Sequence, residues 1–201
     1  IGSNAFQECR KLAKITILSS LTEINPGTFD HCSLLKEVTI PSSVNFIGEN
    51  AFNECRSLNE MTIPPSVTTI QKNVFHGCRK ITKITVPESV TSIGAGSFGY
   101  CSSLLEIKIL GNVTVIEDEV FHGCKKLTKI EIPSSVTSIG DNAFNGCISL
   151  SVIELPSSLT SIGSNAFNGC KKLAGIAIPP SVVTIGSDAF SGCPLLQSPN
   201  K

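Results

Sequence analysis

The sequence predicts a β-rich solenoid, because one motif recurs along the chain at a fixed spacing. All nine cysteines lie 23 residues apart, from Cys9 to Cys193, without an insertion or a deletion. A phenylalanine precedes each cysteine by three residues, from Phe6 to Phe190, and a leucine or isoleucine follows each by three. A unit of this size cannot bury enough apolar surface to offset its backbone entropy, so the units must stack around one continuous core.

Each unit predicts two short extended segments and no long helix. The first is an I-x-I triplet, as in Ile130-Glu131-Ile132, with the period of a strand that has one buried face. Strand pairing should end at the proline that usually follows, since proline cannot donate to a β-ladder. The second segment, S-V-T-x-I-G, should close with a turn at its glycine. With strands about 4.8 Å apart, the coils would form a body about 40 Å long.

The complete unit reads L-x-x-I-x-I-P-x-S-V-T-x-I-G-x-x-A-F-x-x-C. It resembles the leucine-rich repeats of the BspA-like family, also called the Treponema pallidum type, over nearly the whole chain. The resemblance implies a right-handed leucine-rich-repeat superhelix of 23-residue coils with a parallel sheet on its concave face. It also implies a cell-surface or secreted protein that adheres to host proteins or to other cells.

We number the coils by the cysteine that opens each, and coil 5 departs from the pattern. Leu110 replaces the proline there, as Leu18 does in coil 1, and Glu117-Asp118-Glu119 replaces the glycine turn. Asn112-Val113-Thr114 is an acceptor triplet for N-glycosylation. After Leu196, Pro199 interrupts the pattern. We expect residues 1–201 to form a single solenoid of about eight full repeats with partial coils at both ends, part of a longer array.

The composition excludes some function classes. Sixteen basic and sixteen acidic residues give zero net charge, so the charge of the whole chain does not steer it toward nucleic acid. No apolar run approaches about 18 residues, so no membrane span is expected in this chain. It opens without a charged and then apolar stretch, so no signal peptide is expected within this sequence.

The cysteine column has three interpretations, of which burial in the core is favoured. Neighbouring cysteines would lie about 4.8 Å apart, but their Cβ vectors should run parallel rather than toward each other, which disfavours disulfides. Zinc sites use close C-x-x-C pairs, and the sequence has none. Nine free, buried thiols favour a reducing or oxygen-poor setting, which leaves a cytoplasmic location open.

Candidate catalytic groups are few. His31, His76 and His122 each lie one or two residues before a cysteine, where a solvated turn is expected. His76 and His122 would be about 10 Å apart, too far to share a metal ion. Glu131 and Glu154 should be neighbours on the sheet, but an exposed face lacks the pocket that an acid/base pair needs. We therefore expect no enzyme activity, no cofactor and no metal.

The outward side chains of the first segment form the first candidate binding surface, the concave face. Its candidate residues are Thr16, Thr39, Thr62, Thr85, Lys108, Glu131 and Glu154. The threonines predict a ladder across the first four coils, and Lys14 with Glu37 or Glu60 with Lys83 predict stabilising cross-strand pairs. Val152, Ala174, Gly175 and Ala177 predict a smooth, weakly apolar region at the far end, covered by a partner or by further repeats.

The second candidate surface is a basic ridge beside the cysteines. It comprises nine of the sixteen basic residues: Arg10, Lys11, Arg56, Arg79, Lys80, Lys125, Lys126, Lys171 and Lys172. The acidic residues are expected on a different turn, at Glu23, Glu49, Glu117, Asp118, Glu119, Asp141 and Asp188. An elongated basic strip could hold a sulphated glycan or an acidic protein face. Aromatic side chains are expected to be absent from these turns, which argues against single-stranded nucleic acid.

From these observations we hypothesise a non-enzymatic protein-binding or adhesion module that acts through the concave face or the basic ridge. Its partner would be a protein ligand or another cell-surface component, or a sulphated glycan on the ridge. The alternative is an architectural spacer, in which the repeats set length and another domain binds. A face with uneven side chains favours binding, and a featureless face favours a spacer.

Overall fold

The computed structural model describes residues 1–17 and 20–196, and in that part of the chain the backbone winds as a β-solenoid without an α-helix. The described strands, β1 to β14 in chain order, fall into two rows along the molecule. Every strand pair is parallel and joins residues 23 positions apart, as Lys14 pairs with Glu37 and Ile139 with Ile162. The predicted fold class is confirmed. Leu18 and Pro199 lie outside the described residues.

The first row contains the I-x-I segments and forms the concave face. Its strands are β1 (Lys14–Thr16), β3 (Glu37–Thr39), β6 (Lys83–Val86), β8 (Glu106–Ile109), β10 (Lys129–Glu131) and β12 (Val152–Glu154). Coils 3 and 8 contribute only isolated bridges, at Glu60 and Gly175. Both of these coils have a second proline, Pro65 or Pro180, after the segment. Prolines donate no N–H and restrict the residue before them, which is consistent with the loss of the strand.

The second row contains the S-V-T-x-I segments. Its strands are β2 (Glu23–Ile24), β4 (Phe46–Ile47), β5 (Thr69–Ile70), β7 (Ser92–Ile93), β9 (Val115–Ile116), β11 (Ser138–Ile139), β13 (Ser161–Ile162) and β14 (Thr184–Ile185). The row is paired from β2 to β7 and again from β9 to β14, and it is interrupted between β7 and β9.

The glycine that follows five of the eight described second-row strands is required by close packing between coils. A Cβ at Gly94 would lie 2.7 Å from the backbone nitrogen of Lys72, and one at Gly163 would lie 2.5 Å from the carbonyl carbon of Gly140. Where a larger residue replaces this glycine, pairing weakens. Gln71 follows β5, which is paired with β4 only through Ile47 and Ile70. Glu117 follows β9, which is not paired with β7. The predicted turns are present at Gly48, Gly94 and Gly163, whose carbonyl oxygens accept the N–H three residues later, and the close approach adds a second reason for glycine there.

A column of stacked phenylalanines runs along the interior. Neighbouring rings from Phe6 to Phe190 have centroids 5.1 to 5.8 Å apart and are close to parallel. The seven inner rings are almost completely buried, whereas Phe6 and Phe190 are partly exposed. Each inner ring therefore contributes to two coil interfaces and each terminal ring to one.

The cysteine column is tied to the phenylalanine column by hydrogen bonds. From Cys32 onward, each thiol donates to the carbonyl oxygen of the phenylalanine 26 residues earlier, at Sγ–O distances of 3.0 to 3.3 Å. That oxygen also accepts the N–H of the following cysteine, as Phe29 does from Cys32. The thiol therefore satisfies a buried carbonyl, a role that sequence reasoning missed when it assigned cysteine only a packing role.

Eight of the cysteines are buried as predicted, and all nine are free thiols. Cys9 is the exception, because it is exposed at the first coil, so the expectation that the whole column faces the core is corrected there. Burial raises the pKa of Cys32 to about 11 and that of Cys101 and Cys170 to about 12. These thiols are therefore protonated and unreactive at neutral pH.

We predict that a thiol reagent modifies one cysteine per chain quickly in native buffer and the other eight only on unfolding. Cys9 is exposed, whereas the others are shielded and protonated. Mass spectrometry of peptides from samples labelled over time will assign the fast site. The Cys9→Ser variant is the control and should lose the fast phase. Rapid labelling of several cysteines would contradict the placement of this column in the core.

Candidate binding surfaces

The structure places all seven candidate residues of the concave face on its surface, with exposed side chains. The register sets Thr16 opposite Thr39 and Thr85 opposite Lys108. Thr62 lies in coil 3, which forms no strand, so the predicted threonine ladder is interrupted there. Glu131 and Glu154 are neighbours as predicted.

Many of the charged side chains on this face form ion pairs with one another. Lys14 Nζ lies 2.7 Å from Glu37 Oε2, as predicted. The hydrogen bond and the charge of Glu37 raise the pKa of Lys14, and those of Lys14 lower the pKa of Glu37. Lys83 Nζ pairs with Glu106 at 3.4 Å rather than with Glu60, so that expected pair is wrong. These pairs are exposed, so solvent and salt screen them and they contribute little to stability.

Two hollows flank an apolar side chain in the middle of the concave face. The larger, about 750 Å³, is lined by charged residues of β6, β8 and β10, among them Lys108 and Glu131. The smaller, about 620 Å³, is lined by both apolar and polar residues, among them Met61, Pro87 and Glu88. Leu110 lines both hollows and is 54% exposed. In the sequence, the feature that marks this position is that Leu110 stands where most coils have a proline.

All nine residues of the basic ridge are exposed, but the three arginines in its first half are paired. Arg10 lies 3.2 Å from Glu8, and Glu54 contacts both Arg56 at 2.6 Å and Arg79 at 3.7 Å. The expectation that the acidic residues lie on a different turn is therefore wrong for Glu8 and Glu54, which pair with the arginines of the ridge. By contrast, the lysines at 125, 126, 171 and 172 have no acidic partner in the described part of the chain.

The residue directly before each cysteine determines this difference along the ridge. It has a left-handed backbone in every coil, and it is glutamate at positions 8 and 54, with φ of 58° and 53°. In the second half it is glycine, at Gly123, Gly146, Gly169 and Gly192. Glycine adopts this conformation without steric cost and adds no side chain, so nothing neutralises the nearby lysines.

An aromatic side chain also lies on this ridge, which corrects the expectation that aromatics are absent from these turns. Tyr100 precedes Cys101 and is 44% exposed. Its ring contacts His76 at a centroid distance of 5.3 Å and His122 at 4.8 Å. These histidines support Tyr100 rather than lying in open solvent. Burial, as the largest cause, lowers the pKa of His76.

Two of the histidines contact neighbouring polar side chains. His31 Nδ1 lies 2.7 Å from Asp30 Oδ1, and His76 Nδ1 lies 3.2 Å from Asn53 Oδ1. No group of three His, Cys, Asp or Glu side chains able to hold a metal ion occurs in residues 1–17 and 20–196. Within the same residues, no helix has the length and apolar character needed to cross a membrane.

The two rows of parallel strands, the stacked phenylalanines and the unbroken register define a solenoid repeat protein. The family model described as "BspA type Leucine rich repeat region (6 copies)" matches residues 1–128 and 97–200. The chain belongs to the BspA-type leucine-rich repeat family. Proteins of this family are commonly surface proteins and generally not enzymes, and their repeats suggest protein binding.

Solved structures of similar proteins agree with this assignment. A leucine-rich repeat protein from Bacteroides ovatus is 33% identical to this chain, with a TM-score of 0.89. The match covers 98% of this chain and 57% of the Bacteroides ovatus chain. A leucine rich cell surface protein from Faecalibacterium prausnitzii is 27% identical, with a TM-score of 0.57, over 99% and 66%. The Treponema pallidum leucine rich repeat protein is 27% identical, with a TM-score of 0.65, over 94% and 79%.

This chain therefore spans somewhat more than half of the Bacteroides ovatus protein. None of the curated proteins matches it.

Proposed function

We propose that this chain is a non-enzymatic protein-binding or adhesion module of a cell-surface or secreted repeat protein, and that it binds a protein ligand through the concave face around Leu110. The Faecalibacterium prausnitzii relative, a cell surface protein, supports the proposed location. The observation that carries the proposed site is Leu110, a large apolar side chain that is half exposed between two hollows.

The surroundings of Leu110 match the arrangement found at protein interfaces. Energetically important contacts cluster around apolar or aromatic anchors near the centre, with a polar rim around them. Here Leu110 is the anchor, and Lys83, Lys108, Lys129 and Glu131 supply the charged rim of the larger hollow. A purely architectural spacer has no need for an exposed leucine in place of the proline used in most coils.

We predict that Leu110→Ser weakens binding to a cell-surface ligand by about thirtyfold, the effect of losing an interface anchor worth about 2 kcal/mol. Labelled chain would be titrated onto epithelial and bacterial cells, and saturable binding measured by flow cytometry. Leu34→Ser is the matched control, because Leu34 is 50% exposed but lies beside Cys32, away from the concave face. Equal binding by the two variants, or no saturable binding by the unaltered chain, would contradict the proposal.

A further inference from the structure

We propose that the chain has a second binding surface, for a linear sulphated polysaccharide, formed by Tyr100 with Lys125, Lys126, Lys171 and Lys172. We call these five residues the lysine edge. The surface lies beside the cysteines rather than on the concave face, so this inference is independent of the protein ligand proposed above. It rests on three features: unpaired charge, an exposed aromatic ring, and the shape of the backbone between them.

The unpaired positive charge of the ridge is concentrated in its second half, because only Lys11 and Lys80 lack an ion pair in the described part of the first half. In the first half, Glu8 and Glu54 neutralise the arginines beside them. In the second half, glycines replace those glutamates and the four lysines stay unpaired among the described residues. A chain with zero net charge thus presents a local cluster of four positive charges. Such a cluster raises the local concentration of anionic ligands.

The register places Tyr100 directly beside this cluster. Glu54, which also precedes a cysteine, contacts Arg56 in its own turn and Arg79 in the next turn. Tyr100 stands at the same position two coils later, and Lys125 stands where Arg79 does relative to Glu54. The ring also extends over the next coil, because a Cβ added at Gly123 would lie 2.9 Å from Tyr100 Cδ1. The exposed ring and Lys125 are therefore neighbours.

The ring is held in place before any ligand binds. His76 and His122 contact Tyr100 from the coils on either side, with centroid distances of 5.3 and 4.8 Å. A side chain fixed in this way loses little conformational freedom on binding. The C–H face of a sugar ring is apolar and can pack on the exposed part of such an aromatic ring.

Lysine pairs and glycines suit an extended anionic chain. The pairs at Cys124 and Cys170 are two coils apart, about 10 Å along the axis. Between and beside them, Gly146 and Gly169 carry no side chain and are half-buried, so a polymer can lie close to the backbone there. Regularly spaced sulphate groups would then reach both lysine pairs, while one sugar ring packs on Tyr100.

The same features disfavour single-stranded nucleic acid. Proteins that bind it offer several aromatic platforms on which successive bases stack. After Tyr100, the corresponding position in the next four coils is occupied by glycine. A polymer running along the lysine edge would therefore meet one aromatic ring followed by positive charge alone, which fits a sulphated sugar chain.

The test is titration of the chain with heparin at low salt, monitored by calorimetry. Changing the four lysines to serine should reduce affinity at least about tenfold, since four positive charges that attract the polymer are removed. The matched control changes Lys14, Lys83, Lys108 and Lys129 to serine, which alters the net charge equally on the concave face. This control should change affinity by less than about twofold. Equal losses in the two variants would overturn the proposal.

Tyr100→Gly tests the aromatic contact without disturbing the backbone, because glycine occupies this position in neighbouring coils with φ of 67° to 72°. We expect about a fivefold loss of heparin affinity with an unchanged salt dependence, since no charge is removed. The four-lysine variant should instead show a weaker salt dependence. Unaltered affinity in Tyr100→Gly, or binding of an oligothymidine as tight as that of heparin, would overturn the assignment.

Discussion

Replacement of Phe98 by alanine should lower the free energy of unfolding by about 3 to 5 kcal/mol, the usual cost of removing a fully buried aromatic ring. The Phe98 ring is 1% exposed and stacks on Phe75 and Phe121, with centroids 5.6 and 5.8 Å away. Removing it leaves a cavity that two coil interfaces share. Denaturant melts followed by circular dichroism will measure the change.

The matched comparison is Phe6→Ala, at the first coil. Phe6 stacks only on Phe29 and is already partly exposed, so its removal should cost much less. A coil with one neighbour also frays more readily than a coil with two. Equal losses of stability in the two variants would show that the phenylalanine column does not act as a shared core.

Alkaline pH should unfold the protein steeply, because its buried thiols resist ionisation. Burial raises the pKa of Cys101 and Cys170 from 9.0 to about 12, and raises that of Cys55, Cys78, Cys124 and Cys147 as well. The unfolded chain then loses protons above pH 9 that the folded chain retains. The stability contributed by these protonated thiols is complete below pH 9 and is lost as pH rises toward 12.

The size of this effect follows from the number of thiols. Each contributes a loss of about 1.4 kcal/mol per pH unit above its unfolded pKa, so six contribute about 8 kcal/mol per pH unit. A domain of ordinary stability should therefore unfold between about pH 10 and 11. Circular dichroism of reduced protein across this range will show the transition.

The double variant Cys101→Ser, Cys124→Ser serves as the control for alkaline unfolding. Serine can still donate to the phenylalanine carbonyl but does not ionise in this range, so two of the six thiols are removed from the titration. The pH dependence of the unfolding free energy should fall by about a third. A dependence unchanged by these substitutions, or constant stability up to pH 11, would contradict the explanation.

The fold could be predicted from the sequence because its register is encoded in every coil. The columns of phenylalanine, cysteine and isoleucine have to superpose for any of them to be buried, which leaves one arrangement. The interruptions of the two rows were not predicted. They depend on a second proline, as at Pro65, and on the Cβ of Gln71 or Glu117 at a position where glycine lets two backbones approach. Those effects require the coil spacing to be known.

The candidate surfaces were predicted less completely. Their exposed residues followed from the alternation of side chains, but their charges did not. Whether Arg56 is free depends on Glu54, and that contact arises from a left-handed backbone position that the sequence does not reveal when glutamate occupies it. Tyr100 was missed for the same reason. A comparison of the residues that directly precede the cysteines would have shown that their type changes along the chain. Glutamate occurs in the first half, Tyr100 in the middle, and glycine in every later coil.

The unbroken 23-residue register also gives the surface a coordinate system. Any exposed position can be described by its place within the coil and by its coil number, and a shift of 23 residues moves it by one step of about 4.8 Å. Exchanging Lys171 and Lys172 with Ile148 and Ser149 would bring the second lysine pair one step nearer Tyr100, with the core unchanged. The distance between charges could therefore be adjusted stepwise and matched to the spacing of anionic groups along a polymer.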